Sequence, residues 1–284
     1  MNIVSVYRQF PTEKSCIKHL ETVKWKGIPS CPYCKSTKST PMPKEERYHC
    51  NTCNTTYSVT VGTIFHNTKL DLQKWFLGVA LMLNAKKGLS ARQLARDLEV
   101  NKNTAWFMAM RIRKAMLDDG ALLKGIVEMD ETYVGGKPRK GGRPGKRGRG
   151  TKKVPVVGMV QRDGKVIAKV SPTLTSKRLM TLVRRNVDKK ESILITDEFK
   201  GYSKANSNVL RHLTINHSIS YAQGAIHTNT IEGFWALLKR GIIGQYHKVS
   251  LSYLQKYVDE FAFRYNNRKN DGIFDLTLTN ALGV

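Results

Sequence analysis

The chain has 284 residues, 48 of them Lys or Arg and 22 Asp or Glu, giving a formal charge of +26, and 40% are apolar. That length and apolar content allow about two domains with real cores, and the charge points to a polyanionic partner held by a salt-sensitive field. The longest apolar run, Trp75–Leu83, falls well short of the roughly 20 residues of a bilayer span, and Met1–Phe10 lacks the apolar stretch of a secretory signal, so the expectation is a cytoplasmic protein with reduced thiols and no membrane partner.

Pro11-Thr12 ahead of Glu13–Lys24 reads as a capped helix with Cys16, Leu20 and Val23 on one side. Cys31-Pro-Tyr-Cys34 and Cys50-Asn-Thr-Cys53 follow as two knuckles, each placing two thiolates on one side of a turn, and the pair predicts a structural zinc ion with no position open for substrate. A redox pair or two disulfides is the competing reading, and the spacing and the reducing compartment weigh against it. Cys16 is left as a small buried residue. Asp71 is placed to cap a core helix over Leu72–Asn84. Ser90-Ala-Arg-Gln93 fits a capping box, Leu89, Leu94 and Leu98 keep helical spacing, and a second helix begins near Thr104 after Val100–Asn103. Two short helices with a four-residue turn match a helix-turn-helix that would present Arg111, Arg113 and Lys114 to DNA; an ordinary helical hairpin fits the same pattern.

From Gly125 onward strands and helices alternate. Strands are expected at Gly125–Val134, Val154–Gln161 and Lys165–Thr173, the last two joined by a type I′ turn at Asp163-Gly164. A helix over Thr175–Val187 leads to a buried strand, Ser192–Thr196, that ends at Asp197. A strand at Arg211–Asn216 and helices at Thr230–Arg240 and Leu251–Tyr265 follow. The order predicts a mixed α/β sheet flanked by helices. Between the first two strands, Gly135–Gly150 contains only Gly, Pro, Lys and Arg. It offers no apolar side chain to bury, so it reads either as a cationic arm along a DNA backbone, through Lys137, Arg139, Lys140, Arg143, Lys146, Arg147 and Arg149, or as a solvated insertion.

Three carboxylates stand where such a sheet can gather them: Asp130 late in the first strand, Asp197 at the end of the fourth, and Glu232 in the first turn of the following helix. There Ile231, Phe234, Trp235 and Leu238 form the core stripe and leave Glu232 off it. Hard oxygen donors of this kind suit Mg²⁺, and a pair of ions can serve an in-line displacement at phosphorus. Taken singly, each acid has a plainer use, as a helix N-terminal charge for Glu232 and as strand-end or turn-capping acids for the other two. Glu128 shares a strand face with Asp130 and is an accessory candidate, whereas Glu131 faces the other way.

Val127-Glu-Met-Asp-Glu-Thr-Tyr-Val-Gly-Gly136, Thr196-Asp-Glu-Phe-Lys-Gly-Tyr202, His227-Thr-Asn-Thr-Ile-Glu-Gly-Phe-Trp-Ala-Leu-Leu-Lys-Arg-Gly241, Phe263-Arg-Tyr-Asn-Asn-Arg268 and Val61-Gly-Thr-Ile-Phe65 behind the cysteines resemble the insertion-sequence transposases of the ISXO2-like family. The resemblance implies a ribonuclease-H-like catalytic domain over 121–284 with a basic insertion at 135–153, preceded by an N-terminal helix and zinc ribbon (1–68) and a helical DNA-binding segment (69–120). It implies an acid triad of Asp130, Asp197 and Glu232 working with two Mg²⁺ ions, or Mn²⁺ in their place, with Asn229 and His227 as neighbours of the third position. It further implies cleavage at the element's ends that frees a 3′ hydroxyl, attack of that hydroxyl on target DNA, a homo-oligomeric assembly at the nucleoid, and no small-molecule cofactor. Lys239 and Arg240 are placed to steady a phosphate. A nuclease that cuts without joining, or a non-catalytic DNA-binding regulator, would share much of this pattern.

Overall fold

The computed structural model describes residues 1–117, 120–135, 153–215 and 226–283. The arm residues Lys137, Arg139, Lys140, Arg143, Lys146, Arg147 and Arg149 lie outside the described residues. The chain forms two compact units, one of Met1–Leu117 with Lys269–Val284 and one of Asp118–Arg268.

The first unit opens with α1 (Ile3–Gln9) and α2 (Glu13–Trp25). Thr12 Oγ1 accepts from Ser15 N while Ser15 Oγ accepts from Thr12 N, so α2 begins on a reciprocal cap. The ribbon strands β1 (Ser39–Met42), β2 (Arg47–Cys50) and β3 (Thr56–Tyr57) form one antiparallel sheet. Next, α3 (Leu72–Asn84) buries Leu72, Trp75, Phe76, Leu77, Val79, Ala80 and Met82, as a helix that is apolar nearly all round must. Asp71 makes no side-chain cap for it; Glu13 Oε2, from α2, accepts from Leu72 N at 2.6 Å instead. In α4 (Ala91–Asp97), Ser90 caps Gln93 N, but the Gln93 amide donates to Asp97, so only half of the expected box forms. After the turn comes α5 (Lys102–Ala115), capped by Asn101. A C-terminal helix, Ile273–Leu282, packs here and not in the catalytic region where the sequence reading put it: Phe274 meets Phe10 and Phe76, and Asn280 Nδ2 donates to Ala115 O. Among the described residues no helix is long and apolar enough to cross a membrane.

The second unit is built on a five-stranded sheet of order β6-β5-β4-β7-β8, with β4 (Leu123–Val134), β5 (Val154–Gln161) and β6 (Val166–Val170) antiparallel, and β7 (Val187–Asp197) and β8 (Arg211–Ile215) parallel to β4. That is the ribonuclease-H-like order. The β5–β6 hairpin keeps Gln161 N on Lys165 O and carries its positive φ, 57°, at Asp163, while Gly164 is not left-handed, so the turn spans three residues and is not type I′. α6 (Ser176–Asn186) runs from β6 to β7 and buries Leu179, Met180 and Val183 against Val127, Met129, Val157, Met159 and Leu194. α7 (Asn229–Arg240) continues as a π-helical turn, Gly241–Tyr246, before α8 (Leu251–Asn266). On α8, Gln255 and Asn266 each both donate to and accept from the β6 backbone, which blunts that sheet edge.

Candidate active site

Strand pairing sets the first two acids side by side. The parallel β4–β7 ladder is paired as far as Glu128 opposite Ile195, and the same register carried two residues on brings Asp130 level with Asp197, whose charge acts on it. Asp197 Oδ1 accepts from Phe199 N at 3.1 Å, which turns the chain off the strand end. Asp130 is pushed up from 3.8 to about 7, first by burial, then by the charge of Glu131 and by that of Asp197. Glu131 points to the opposite face, as the period of two requires, and there accepts from the buried Tyr202 hydroxyl at 2.8 Å. The Tyr202 phenol is raised well above its usual value by burial first and then by Glu131, Asp130 and Asp197. Glu131 and Asp197 therefore both act on Asp130 at the carboxyl end of two adjacent central strands.

The helix α7 is bound to this place by two groups on the same face of β4. Glu128, fully buried, accepts from Thr230 N (2.8 Å), Ile231 N (3.1 Å) and Thr230 Oγ1 (2.9 Å), so a strand carboxylate caps the helix N-terminus. Arg162 Nε donates to it at 2.7 Å and Arg162 also donates to His227 O. Glu128 is thus a clamp for α7 rather than an accessory to the acid pair, and His227 belongs to that clamp, with Nδ1 3.3 Å from Glu128. One turn on, Trp235 Nε1 donates to Asp130 Oδ2 at 3.0 Å. Its ring lies over Gly158, the cross-strand partner of Asp130, where an added Cβ would come within 2.5 Å of it. The apolar stripe marked Trp235 as core, but its role as donor to an acid 105 residues away was not readable from spacing.

Glu232 sits between these two anchors, on the exposed side of α7, with Oε1 accepting from Thr228 Oγ1 at 3.2 Å. Among the described residues, Asp130, Asp197 and Glu232 do not bring their oxygens within 4.8 Å of one another as a trio. Asn229 is the first residue of α7, and Lys239 and Arg240 are exposed in its last turn.

Four sulfurs do gather. Cys31, Cys34, Cys50 and Cys53 place their Sγ atoms within 4.8 Å of one another, with Cys31–Cys53 at 3.7 Å and Cys34–Cys50 at 3.5 Å. A tetrahedron with Zn–S of about 2.3 Å has edges of roughly 3.8 Å, so the set fits a structural zinc ion. Both knuckles fold alike, Lys35 N on Cys31 O and Asn54 N on Cys50 O, each with positive φ at the donor residue. The Cys50 thiol is drawn down to about 6, chiefly by the Cys53 backbone N–H.

In the first unit, Arg113 is 2% exposed and the Arg111 guanidinium donates to Ile64 O and His66 O while lying over Phe107. Both are turned inward, away from the DNA-facing position expected of them, because the helical stripe of α5 buries Ala105, Met108, Ala109 and Ile112 and carries Arg113 with it. The exposed face of α5 instead shows Lys102, Asn103, Trp106, Phe107 and Lys114.

A four-cysteine ribbon followed in sequence by a ribonuclease-H-like sheet with acids at the ends of its central strands defines the class. The chain belongs to the ISXO2-like transposase family: residues 122–266 match the ISXO2-like transposase domain, and residues 11–56 match the transposase zinc-ribbon domain. It is 28% identical over 277 residues to a protein in transposable element ISH50 of Halobacterium salinarum, covering 90% of this chain and 92% of that protein. A transposase-like protein of Haemophilus influenzae is 31% identical over 103 residues, 36% of this chain and 82% of that one. Among solved structures, the Mos1 transposase paired-end complex with left transposon end matches at a TM-score of 0.30 and 15% identity, over 72% of this chain and 78% of that one. The Mos1 strand transfer complex matches at 0.29 and 16%, over 73% and 75%.

Proposed function

We propose that the protein binds the ends of its own insertion sequence and carries out divalent-metal-dependent cleavage and strand transfer, with Asp130, Asp197 and Glu232 as its acid triad. The observation that carries this reading is the half-buried Asp130 carboxylate, raised by the charge of Asp197 and tied to α7 by Trp235. Such a group is costly to ionise alone and is relieved by a cation, and the donor set is all hard oxygen, which fits Mg²⁺ or Mn²⁺. Bound there, the metal would polarise the scissile phosphate and promote ionisation of the attacking hydroxyl.

The chain's own residues do the positioning. Asp130 and Asp197 hold oxygen donors on rigid adjacent strands, and Trp235 fixes the plane of the Asp130 carboxylate. Glu232 lies between the Glu128 clamp and Trp235, so its turn cannot slide along the sheet. Two ions about 4 Å apart are bracketed by carboxylates rather than enclosed in one small sphere, so a third acid set further out suits that arrangement. The net charge of +26 supports DNA as the partner, with the exposed face of α5 and Lys239 and Arg240 as contacts. Handling two element ends calls for more than one copy of the chain. The test is strand transfer with oligonucleotides bearing the element ends and Mg²⁺. Asp197→Asn should abolish cleavage and joining while leaving DNA binding intact. Cleavage and joining that survive the substitution would refute the site, and hydrolysis without joining by the intact protein would give the nuclease reading instead.

A further inference from the structure

We infer that the outward face of α6 is a second DNA-backbone surface, separate from the acid pair, that takes phosphates of duplex lying beside the reacting strand. The inference rests on the reading of DNA as partner and adds a site to it. α6 is sharply two-sided. Leu179, Met180 and Val183 are buried, whereas Lys177, Arg178, Arg184 and Arg185 are exposed. A groove of about 310 Å³ on this helix is lined by Thr175, Lys177, Arg178, Thr181, Leu182 and Arg185. Residues 164–187 hold six Lys or Arg and no acid, so nothing local in sequence neutralises the face.

The guanidinium groups are held by neutral partners. Arg178 Nε donates to Ser171 Oγ, and Arg184 donates to Thr181 Oγ1 and to Asn208 Oδ1. These bonds orient the side chains without cancelling their charge, which lowers the ordering cost of meeting a phosphate. Lys177 and Arg185 are eight residues apart, roughly 12 Å along the helix, about the width of the B-DNA major groove. Two cations at that separation can meet phosphates on either side of it.

Position argues the same way. Val187 both caps α6 and begins β7, which runs back to Asp197, so the first turns of α6 lie at the acid end of the sheet. Leu179 packs there against the chain that follows Asp197, close by Gly201 and in one core with Tyr202. A lipid surface is the other polyanion, but it requires large apolar side chains to insert, and this face offers only the partly buried Leu182.

The experiment compares two double variants of the full chain that lose equal charge, Lys177→Ala/Arg185→Ala in the groove and Lys189→Ala/Lys190→Ala at the opposite end of β7. Each is titrated with mixed-sequence duplex by fluorescence anisotropy over a range of KCl. Losing two phosphate contacts should reduce the slope of log K against log salt by about 1.8, equivalent to roughly 60-fold in affinity at 0.1 M relative to 1 M. The control double should change the slope by far less. Equal effects of the two doubles, or none from either, would overturn the inference, as would loss of binding to phosphatidylglycerol vesicles without loss of binding to duplex. Intact protein that fails to bind duplex at all would overturn the DNA reading itself, which separates the two failures.

Discussion

Replacing Asp130 by Asn should stabilise the second unit at neutral pH and do nothing for it in acid. The carboxyl is raised from 3.8 to about 7, first by burial and then by Glu131 and Asp197. At about 1.4 kcal/mol per tenfold change in proton affinity, that interval is worth roughly 4 kcal/mol between the protonated and ionised forms, an upper limit since part of the group meets solvent. The folded chain holds the proton more tightly than the unfolded one. Its stability is therefore greatest below pH 4, falls as pH rises from about 4 to 7, and stays lower above that. Asn keeps an oxygen for Trp235 Nε1 and removes the charge, so the variant should gain roughly 3–4 kcal/mol over the parent at pH 8 and nothing at pH 4. Of the four tryptophans only Trp235 belongs to this unit, and its fluorescence in urea at pH 4, 6 and 8, in EDTA, reads the gain directly. Adding Mg²⁺ at pH 8 should narrow the difference by stabilising the parent alone. A variant less stable than the parent at every pH, or a gain independent of pH, would show that the acids do not strain one another and that the argument for a cation is wrong.

The clamp on α7 gives a second expectation. Glu128→Ala leaves Arg162 and two helix N–H groups without their buried acceptor and should cost about 3–5 kcal/mol in urea denaturation, whereas Glu128→Gln should recover a large part of that and restore cleavage with it. Gly158→Ala would place a Cβ 2.5 Å from the Trp235 ring; an overpacking loss of about 1–3 kcal/mol and a shifted Trp235 emission are expected, and an unchanged spectrum would dispute the ring's position. Purified protein should contain about one zinc ion per chain, lost in Cys50→Ser with the Trp235 signal unchanged; zinc that survives this substitution on metal analysis would exclude the four-sulfur site.

Much of the fold was legible because periodicity is local. The stripe Ile231, Phe234, Trp235, Leu238 placed α7, the Ile-Leu-Ile run placed the end of β7, and two cysteine knuckles placed the ribbon. What escaped was decided by partners far away in the chain. Asp71 has the form of a helix cap, but Glu13 reaches Leu72 N first. Arg113 has the charge of a DNA contact, but the stripe of α5 turns it inward. The C-terminal helix gave no sign of its company because Phe10 and Phe76 are some 200 or more residues before Phe274.

Strand β4 shows why the candidate site was only half readable. The period of two sorts Val127, Met129 and Glu131 to the face of α6 and Glu128 and Asp130 to the face of α7. That sorting was open to a sequence reading, and it grouped Glu128 with Asp130. It could not divide their work, because the difference lies in what each meets: helix N–H groups and a guanidinium for Glu128, an indole N–H and a neighbouring carboxylate for Asp130. The first partner set supplies several donors and a guanidinium charge, and the second offers one neutral donor and a like charge. The proposed cation site is therefore distinguished from a structural acid two residues away by unmet charge, not by residue type.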